Sequence, residues 1–471
     1  MQEKTIADIV EIVSELRTRI AYLENKISIL ERENAGLRYR LHQSEIANKR
    51  LTERLSQYEK PKKDSHNSSI PPGKQDLYST TKNRTKSLRE PSDKPSGGQV
   101  GHEGSCLTFS READRTESYI PDYCPRCGQD LHPVESQMLE ERWSIDLPPI
   151  VPEVICHQIY QKQCRCGCQV KSEFPSSVKG FVSYGSNLQA FISYLNTEHH
   201  LPYKRTAKIL QEIFGLQISE GTVCNILERM KSSCSSIYEE IRKRILSSSV
   251  VGGDETGIKI NGKLNWLWSF QTDQLTYVYP DVSRGKAAID KHFPDGLPHS
   301  WLVSDRHSSY FNMNVRGHQI CLAHLLWELT YLEELEPEEP WPGKMKQLLR
   351  EAIHKRKSLP WEQIDRKGIL QKFDELIYGG LKKASQEIEN LKKSLLKHRD
   401  NVFNFLFYPK IPYDNNASER SIRPMKVKQK VSGSFRSLPG AEAYAVIHSI
   451  ADTARKNNQS PFFALKSAAD C

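Results

Sequence analysis

Residues 247–260 read SSSVVGGDETGIKI and residues 300–305 read SWLVSD. Each is an apolar run closing on an acid, Asp254 in the first and Asp305 in the second. KLNWLWSF at 263–270 and LTYVYPD at 275–281 lie between them, rich in the β-branched and aromatic residues that suit a pleated sheet. The stretch therefore predicts a strand, a hairpin and further strands, with Asp254 and Asp305 at strand ends. A carboxylate at a strand end projects beyond its sheet, and two adjacent strands then hold two carboxylates within bridging reach of a metal ion. Oxygen ligands suit a hard cation such as Mg²⁺.

A third acid, Glu419, stands in YDNNASERSIRPMK at 413–426. Asp414 or Asn416 can cap a helix there and bring Glu419 round to the same end of the sheet. Three acids of this kind would hold two ions roughly 4 Å apart, able to activate water or a 3′-hydroxyl and to stabilise the departing oxygen of a phosphodiester. Taken singly, each acid reads as a surface carboxylate; it is their contexts that join them. Arg420, Arg423, Lys426, Lys428, Lys430 and Arg436 crowd the same stretch. Cations beside such a site suit a DNA backbone, whose phosphates dominate affinity. The plainer alternative is a solvated basic helix.

Upstream, residues 203–230 read as two helices broken at FGLQISEGTV, a helix-turn-helix whose second helix begins near Ser219 and would enter a DNA groove. Lys204 and Arg205 open its first helix as candidate phosphate contacts. Further upstream, six of the eleven cysteines fall between positions 124 and 168, five of them in two clusters. Cys124 and Cys127 form a Cys-x-x-Cys knuckle, and a second cluster holds Cys164, Cys166 and Cys168. One structural Zn²⁺ on Cys124, Cys127, Cys164 and Cys166, with Cys168 the alternative fourth ligand, would staple a module too small to hold a core of its own.

At the N-terminus a heptad runs through Ile6, Val13, Ile20, Ile27, Asn34, Leu41, Asn48 and Leu55 at a, and Ile9, Leu16, Leu23, Leu30, Leu37, Ser44 and Leu51 at d. β-Branched residues at a with Leu at d favour a parallel two-stranded coiled coil, and an Asn at a such as Asn34 fixes its register, while Asn48 and Ser44 weaken its C-terminal half. The expected partner is a second copy of the chain. Residues 61–105 are rich in Pro, Gly, Ser and Lys without apolar period, a flexible basic linker.

The chain of 471 residues is too long for one core. It reads as a multidomain α+β protein. Its parts are a coiled coil at 1–60, the linker at 61–105, a small β-rich zinc module at 106–180 and a helical DNA-binding region at 181–246. A catalytic domain follows in two parts, 247–320 and 411–471, with a helical segment at 321–410 between them. The net charge of +9 is a modest excess that leaves nucleic acid open as a partner without requiring it. No run approaches the roughly 20 apolar residues of a membrane span, and MQEKTIADIV lacks the features of a secretory signal. The expectation is a cytoplasmic protein acting at the nucleoid.

In order along the chain, NSSIPP, GGQVGHEG, CPRCG, HHLPYKR, DETGIKI, SDRHSSY, CLAH and DNNASERSIRPMKVKQKVSGSFRS resemble the bacterial insertion-sequence 66 transposases, within the wider class of DDE transposases. The resemblance implies a ribonuclease-H-like catalytic domain with Asp254, Asp305 and Glu419 as its DDE triad. It further implies dependence on Mg²⁺ or Mn²⁺, and terminal inverted repeats and target DNA as partners, with accessory proteins of the same element a possible addition. The interval between Asp305 and Glu419 then resembles the helical insertion of such enzymes. Cys321 and His324 match the family's Cys-x-x-His pattern, for which a supporting structural role around the acids is expected. Here the motif continues Leu325-Leu326-Trp327 where the family usually carries arginines, which removes the charge that a DNA contact from this helix would need. Two other classes compete with this reading: a DNA-binding regulator that no longer cuts, and a nuclease acting on RNA–DNA hybrids.

Overall fold

A computed structural model describes residues 2–58, 67, 112–382 and 384–470. Residues 61–105, the expected linker, lie outside the described residues except for 67. The chain divides into two compact units, one of residues 1–76, 327–346 and 380–390 and one of residues 77–326, 347–379 and 391–471.

In the smaller unit, helix α1 spans Gln2–Tyr58. Its heptad residues Val13, Leu16, Ile20, Leu23, Ile27, Leu30, Leu37 and Leu41 are all exposed, an apolar stripe running along one helix. Elsewhere in this unit the buried Glu339 accepts from the amides of Trp341 and Lys382 at 3.1 and 2.8 Å. Asn67 Nδ2 donates to Glu334 at 2.6 Å.

In the larger unit the sheet decides everything else. Strands β3 (Val250–Ile260), β4 (Lys263–Gln271), β5 (Thr276–Asp281), β6 (Leu297–Ser304) and β7 (Val315–Ile320) form five strands in the order β5-β4-β3-β6-β7. β3, β4 and β5 pair antiparallel, the first two through the turn at Asn261 and Gly262, both in positive φ. β6 runs parallel to β3, and β7 parallel to β6. Two short helices, α6 (Lys286–Asp290) and α7 (Ser308–Phe311), lie in the connections that lead into β6 and β7. This mixed α+β arrangement is consistent with the expected ribonuclease-H-like domain.

Alternation along the strands sorts side chains between two faces. On one face Trp268 and Phe270 pack with Phe293 and Tyr310. On the other, Ile258, Ile260 and Leu267 pack against Met425 of helix α12 (Asn416–Ser432) and Ala441, Tyr444 and Ala445 of helix α13 (Leu438–Lys456). α13 is buried along most of its length because its face is lined with small residues, which allow close approach to the sheet.

Residues 181–246, expected as a separate DNA-binding region, fold as α2 (Ser186–Thr197), α3 (Tyr203–Phe214), α4 (Glu220–Ser233) and α5 (Ser235–Leu246). The expected break is there: Gly215 ends α3 in the left-handed conformation, and Ser219 caps α4 by accepting from Thr222 N at 3.0 Å. Yet these helices share one hydrophobic core with the sheet, because Val223, Ile226, Leu227 and Met230 of α4 turn inward with Ile447 and Ile450 of α13. The segment from 322 to 397 is helical, as α8 (Leu322–Leu335), α9 (Trp341–Ser358), α10 (Arg366–Tyr378) and α11 (Gln386–Lys397).

The described part of the expected zinc module, 112–180, differs most from expectation. It holds one short antiparallel hairpin, β1 (Gln161–Gln163) with β2 (Gln169–Lys171), and a bridge between Tyr123 and Asp130. Almost every residue there is exposed, so there is no apolar core to order further strands. Among the described residues no helix is long and apolar enough to cross a membrane.

Candidate active site

Register places the first two acids. Gly252 of β3 stands beside Val303 of β6 in the parallel pair, so two residues further along each strand come Asp254 and Asp305. Asp254 is not at the end of its strand, as the sequence predicts; β3 continues to Ile260 along β4. It is at an end only relative to β6, which stops at Ser304.

Parity then aims the side chain. Asp254 opposes Ser269 of β4, and directly opposed residues share a face. That is the face covered by α12, since Ser269 Oγ and Ser421 Oγ hydrogen-bond at 2.7 Å and Gln271 Nε2 donates to Ser418 Oγ at 3.2 Å. The neighbouring Glu255 faces the other way, where Tyr310 Oη donates to it at 2.6 Å and Arg284 at 2.8 Å. Arg284 in turn stacks on Trp266, 4.6 Å from the ring centre.

Glu419 lies in the first turn of α12, its amide donating to Asn415 O at 3.2 Å. The cap position of this helix is Asn415, rather than the expected Asp414 or Asn416. Asp414 accepts from the backbone and side chain of Asn416 at 3.2 and 2.8 Å. Asn415 itself turns to the sheet, its Nδ2 donating to Gly253 O at 2.7 Å.

The electrostatics follow from this convergence. Burial pushes Asp254 well above the ordinary carboxylate range, and the charges of Glu255, Asp305 and Glu419 push it further, against one bond from the Glu255 amide. Burial also raises Glu419, while His324, Arg423 and Arg420 draw it back. Asp305 is held from the backbone, its Oδ1 accepting from His307 N at 2.9 Å. Among the described residues no basic side chain forms an ion pair with Asp254 or Asp305, so the donor set is made of carboxyl oxygens, the ligands a hard divalent cation prefers. The three acids are not drawn to within 4.8 Å of one another, whereas Cys321 Sγ, a ring nitrogen of His324 and a Glu419 oxygen are. Carboxylates that share two ions roughly 4 Å apart span a wider space than one ion requires.

Cys321 and His324 lie beside the third acid. The Cys321 thiol is buried, which pushes it up to about 12, and it accepts backbone amides of Ala323 and His324 at the start of α8. It also accepts Asn415 N at 3.2 Å, while its own amide donates to Ser304 O at 2.8 Å. His324 Nδ1 lies 3.7 Å from Glu419 Oε1. Of the three residues that follow, Leu325 is buried in the core.

The basic stretch divides. Arg420, Arg423, Lys430 and Arg436 are exposed or half-buried along α12 and the loop after it, and Lys204 and Arg205 are exposed or half-buried at the start of α3. Lys426 is half-buried, its Nζ donating to Gly257 O at 3.2 Å. Lys428 cannot serve as the expected phosphate contact. It is buried, donates to Asn196 O and Oδ1 at 3.0 Å each, and lies over the ring of Tyr444. Its position along the inner face of α12 turns it inward, a consequence of helical period that a count of basic residues misses.

The cysteine clusters are not brought together: among the described residues, no three of the five sulfurs lie within 4.8 Å of one another. Each cluster nonetheless sits on a tight turn. Gly128 N donates to Cys124 O at 2.8 Å and Gly167 N to Cys164 O at 2.9 Å, with both glycines in positive φ. Backbone amides of Arg126 and Cys127 lower the Cys124 thiol, and those of Cys166 and Arg165 lower Cys164.

Sequence reasoning missed Gly252, Asn415, Ser418 and Gln271, although the i, i+4 spacing of Asn415 and Glu419 was a usable sign.

No curated protein matches the chain. A structure described as the simian T-cell lymphotropic virus intasome in complex with PP2A regulatory subunit B56 gamma is similar at 13% identity over 40% of this chain and 69% of that chain. Its TM-score of 0.15 is too low to bear on the fold. The transposase IS66 family matches residues 182–443, a span of more than half the chain that holds Asp254, Asp305 and Glu419. The chain belongs to the IS66 family of transposases.

Proposed function

We propose that this protein cuts DNA at the terminal inverted repeats of its element and joins the freed 3′-hydroxyl to target DNA, with Asp254, Asp305 and Glu419 holding two divalent ions, Mg²⁺ or Mn²⁺. The observation that carries the reading is the convergence of a strand acid, its parallel neighbour and a helix acid on one sheet face, where mutual charge and burial act on Asp254. Bound there, such ions supply Lewis acidity at the reacting phosphate and lower the pKa of a bound water or hydroxyl.

The chain's own residues do the rest. Asp305 is fastened by the His307 amide, and Glu419 is carried on the first turn of α12. Arg420, Arg423, Lys430 and Arg436 reach the surface around the same helix and suit backbone phosphates. Lys204 and Arg205 would extend that contact. The exposed heptad stripe of α1 supports a parallel homodimer, so that two element ends are held by one assembly. The two cysteine half-sites support one structural Zn²⁺ on Cys124, Cys127, Cys164 and Cys166 or Cys168.

The test is strand cleavage of a duplex carrying the element's ends, with Mg²⁺ or Mn²⁺, by wild type and by Asp254→Asn. Metal-dependent nicks that leave a 3′-hydroxyl, absent in the variant, support the reading. Equal cleavage by both, or cutting confined to RNA–DNA hybrids, overturns it. Deleting residues 1–58 should lower the sedimenting mass; an unchanged mass removes the homodimer.

A further inference from the structure

The residue before Asp254 and the amide of Glu419 are bonded directly to one residue that is not itself an acid, and the residue before Asp305 is linked to it through Cys321. Asn415 is only 2% exposed, and all of its polar groups are used. Its Nδ2 donates at 2.7 Å to the carbonyl of Gly253, the residue before Asp254. Its carbonyl accepts the amide of Glu419 at 3.2 Å. Its own amide donates at 3.2 Å to Cys321 Sγ, and the Cys321 amide donates at 2.8 Å to Ser304 O, the residue before Asp305. Its Oδ1 accepts Ser418 Oγ at 2.5 Å.

The sheet leaves room for this contact at one glycine. A Cβ on Gly252 would stand 2.6 Å from Asn415 Oδ1 and 2.5 Å from Ser418 Oγ, and closer still to Gln271 Nε2. Asn415 and Ser418 are short side chains fixed by hydrogen bonds, and Gln271 is itself held by Lys456 Nζ at 2.9 Å. Gly252 is outside the positive-φ region, so what this position requires is space rather than backbone freedom.

We propose that Asn415 is the positioning residue of the site, seated on Gly252 and setting the separations among Asp254, Asp305 and Glu419. This rests on the reading of those acids as a divalent-ion site. Asn415 touches no reacting group; it acts on Asp254 through the Gly253 carbonyl, on Glu419 through its amide, and on Asp305 by way of Cys321. Removing its side chain takes away the bond from the start of α12 to the carbonyl beside Asp254 and the bond to Ser418, while leaving the surface cations in place. Partners that orient metal ligands in this way are worth about 10–100-fold in metal affinity or activity.

The experiment uses the full chain and two readouts: Mn²⁺ binding followed by EPR, and nicking of a supercoiled plasmid carrying the element, with kcat and KM separated. Asn415→Ala and Gly252→Ala are each expected to weaken Mn²⁺ binding and lower kcat by about 10–100-fold, with KM for DNA within about twofold of wild type. A merely structural role would lower the melting temperature and leave Mn²⁺ affinity of the folded fraction unchanged. Should Asn415→Ala fail to fold, Gly252→Ala and Ser418→Ala decide between the two. A folded variant with wild-type Mn²⁺ affinity and kcat, beside a Glu419→Gln control that has lost both, overturns the positioning role alone. A Glu419→Gln control that binds and cuts like wild type overturns the divalent-ion site with it.

Discussion

The sheet with its covering helices and the cysteine-bearing stretch at 112–180 carry equally clear motifs and are held together by different means. In the first, Phe270 is 0% exposed and stacks among Phe293, Tyr279 and Tyr310. In the second, Leu139 is 94% exposed, and the hydrogen bonds that order the chain are local turns at Cys124 and Cys164. Apolar burial, at about 25 cal/mol per Å², can fix the first region unaided; the second has almost no such area to gain. A motif on a packed scaffold is assembled by the fold, whereas a motif on an unpacked segment needs its ion to bring its halves together.

That contrast can be broken most severely by removing zinc. Structural zinc sites contribute on the order of 10 kcal/mol to their own folding, so chelation should strip hydrogen-exchange protection from 112–180 while β3, β4 and β5 keep theirs. Metal analysis should find one zinc per chain, and protection in 112–180 that survives a metal-free preparation would refute the staple.

Next in size is the reverse case, a change that leaves the fold and removes the chemistry. Asp305→Asn or Glu419→Gln should cost on the order of a thousandfold in cleavage rate. Thermal stability should hold or rise, since one of several mutually repelling carboxylates is gone. A large loss of stability would mean that these acids are structural.

Packing itself gives the third effect. Phe270→Ala should cost about 3–5 kcal/mol in urea unfolding, as expected for an aromatic removed from a close-packed core. Leu139→Ala should stay within about 0.5 kcal/mol. Similar values for the two would erase the distinction between the regions.

The smallest effect concerns a charge that the packed region has enclosed. Burial lowers Lys428 from 10.5 to about 7, so between those pH values the unfolded chain binds the proton more fully than the folded one. Its contribution to stability is therefore least below about pH 7, rises by up to ~1.4 kcal/mol per pH unit above that, and levels off beyond about 10.5. The stability of wild type relative to Lys428→Met, followed by urea titration at several pH values, should climb across that window. A flat difference would show that Lys428 is solvated.

These contrasts also show which parts of the molecule are legible in the sequence. Asp254, Asp305 and Glu419 are proposed from local signatures, apolar runs closing on an acid and a capped helix bearing one. The strand end at Asp254 is misjudged because it depends on where β6 stops, a property of the partner strand. Capping by Asn415 rather than Asp414 or Asn416 is hidden because its side chain is recruited by the sheet instead of by its own helix. Lys428 looks like its basic neighbours until the inner face of α12 is defined by Met425 and Tyr444. The helices at 186–246 show their turn clearly, but which face they bury is decided by α13, more than 190 residues further along the chain.

If Asp254, Asp305 and Glu419 together hold a pair of divalent ions, all three lie beside bound metal. Fe²⁺ substituted for Mg²⁺, with ascorbate and peroxide, cuts a protein backbone next to the bound ion. The account predicts cuts beside residues 254, 305 and 419 together, all suppressed by excess Mg²⁺. Cleavage missing from any one of the three, or indifferent to Mg²⁺, would contradict it.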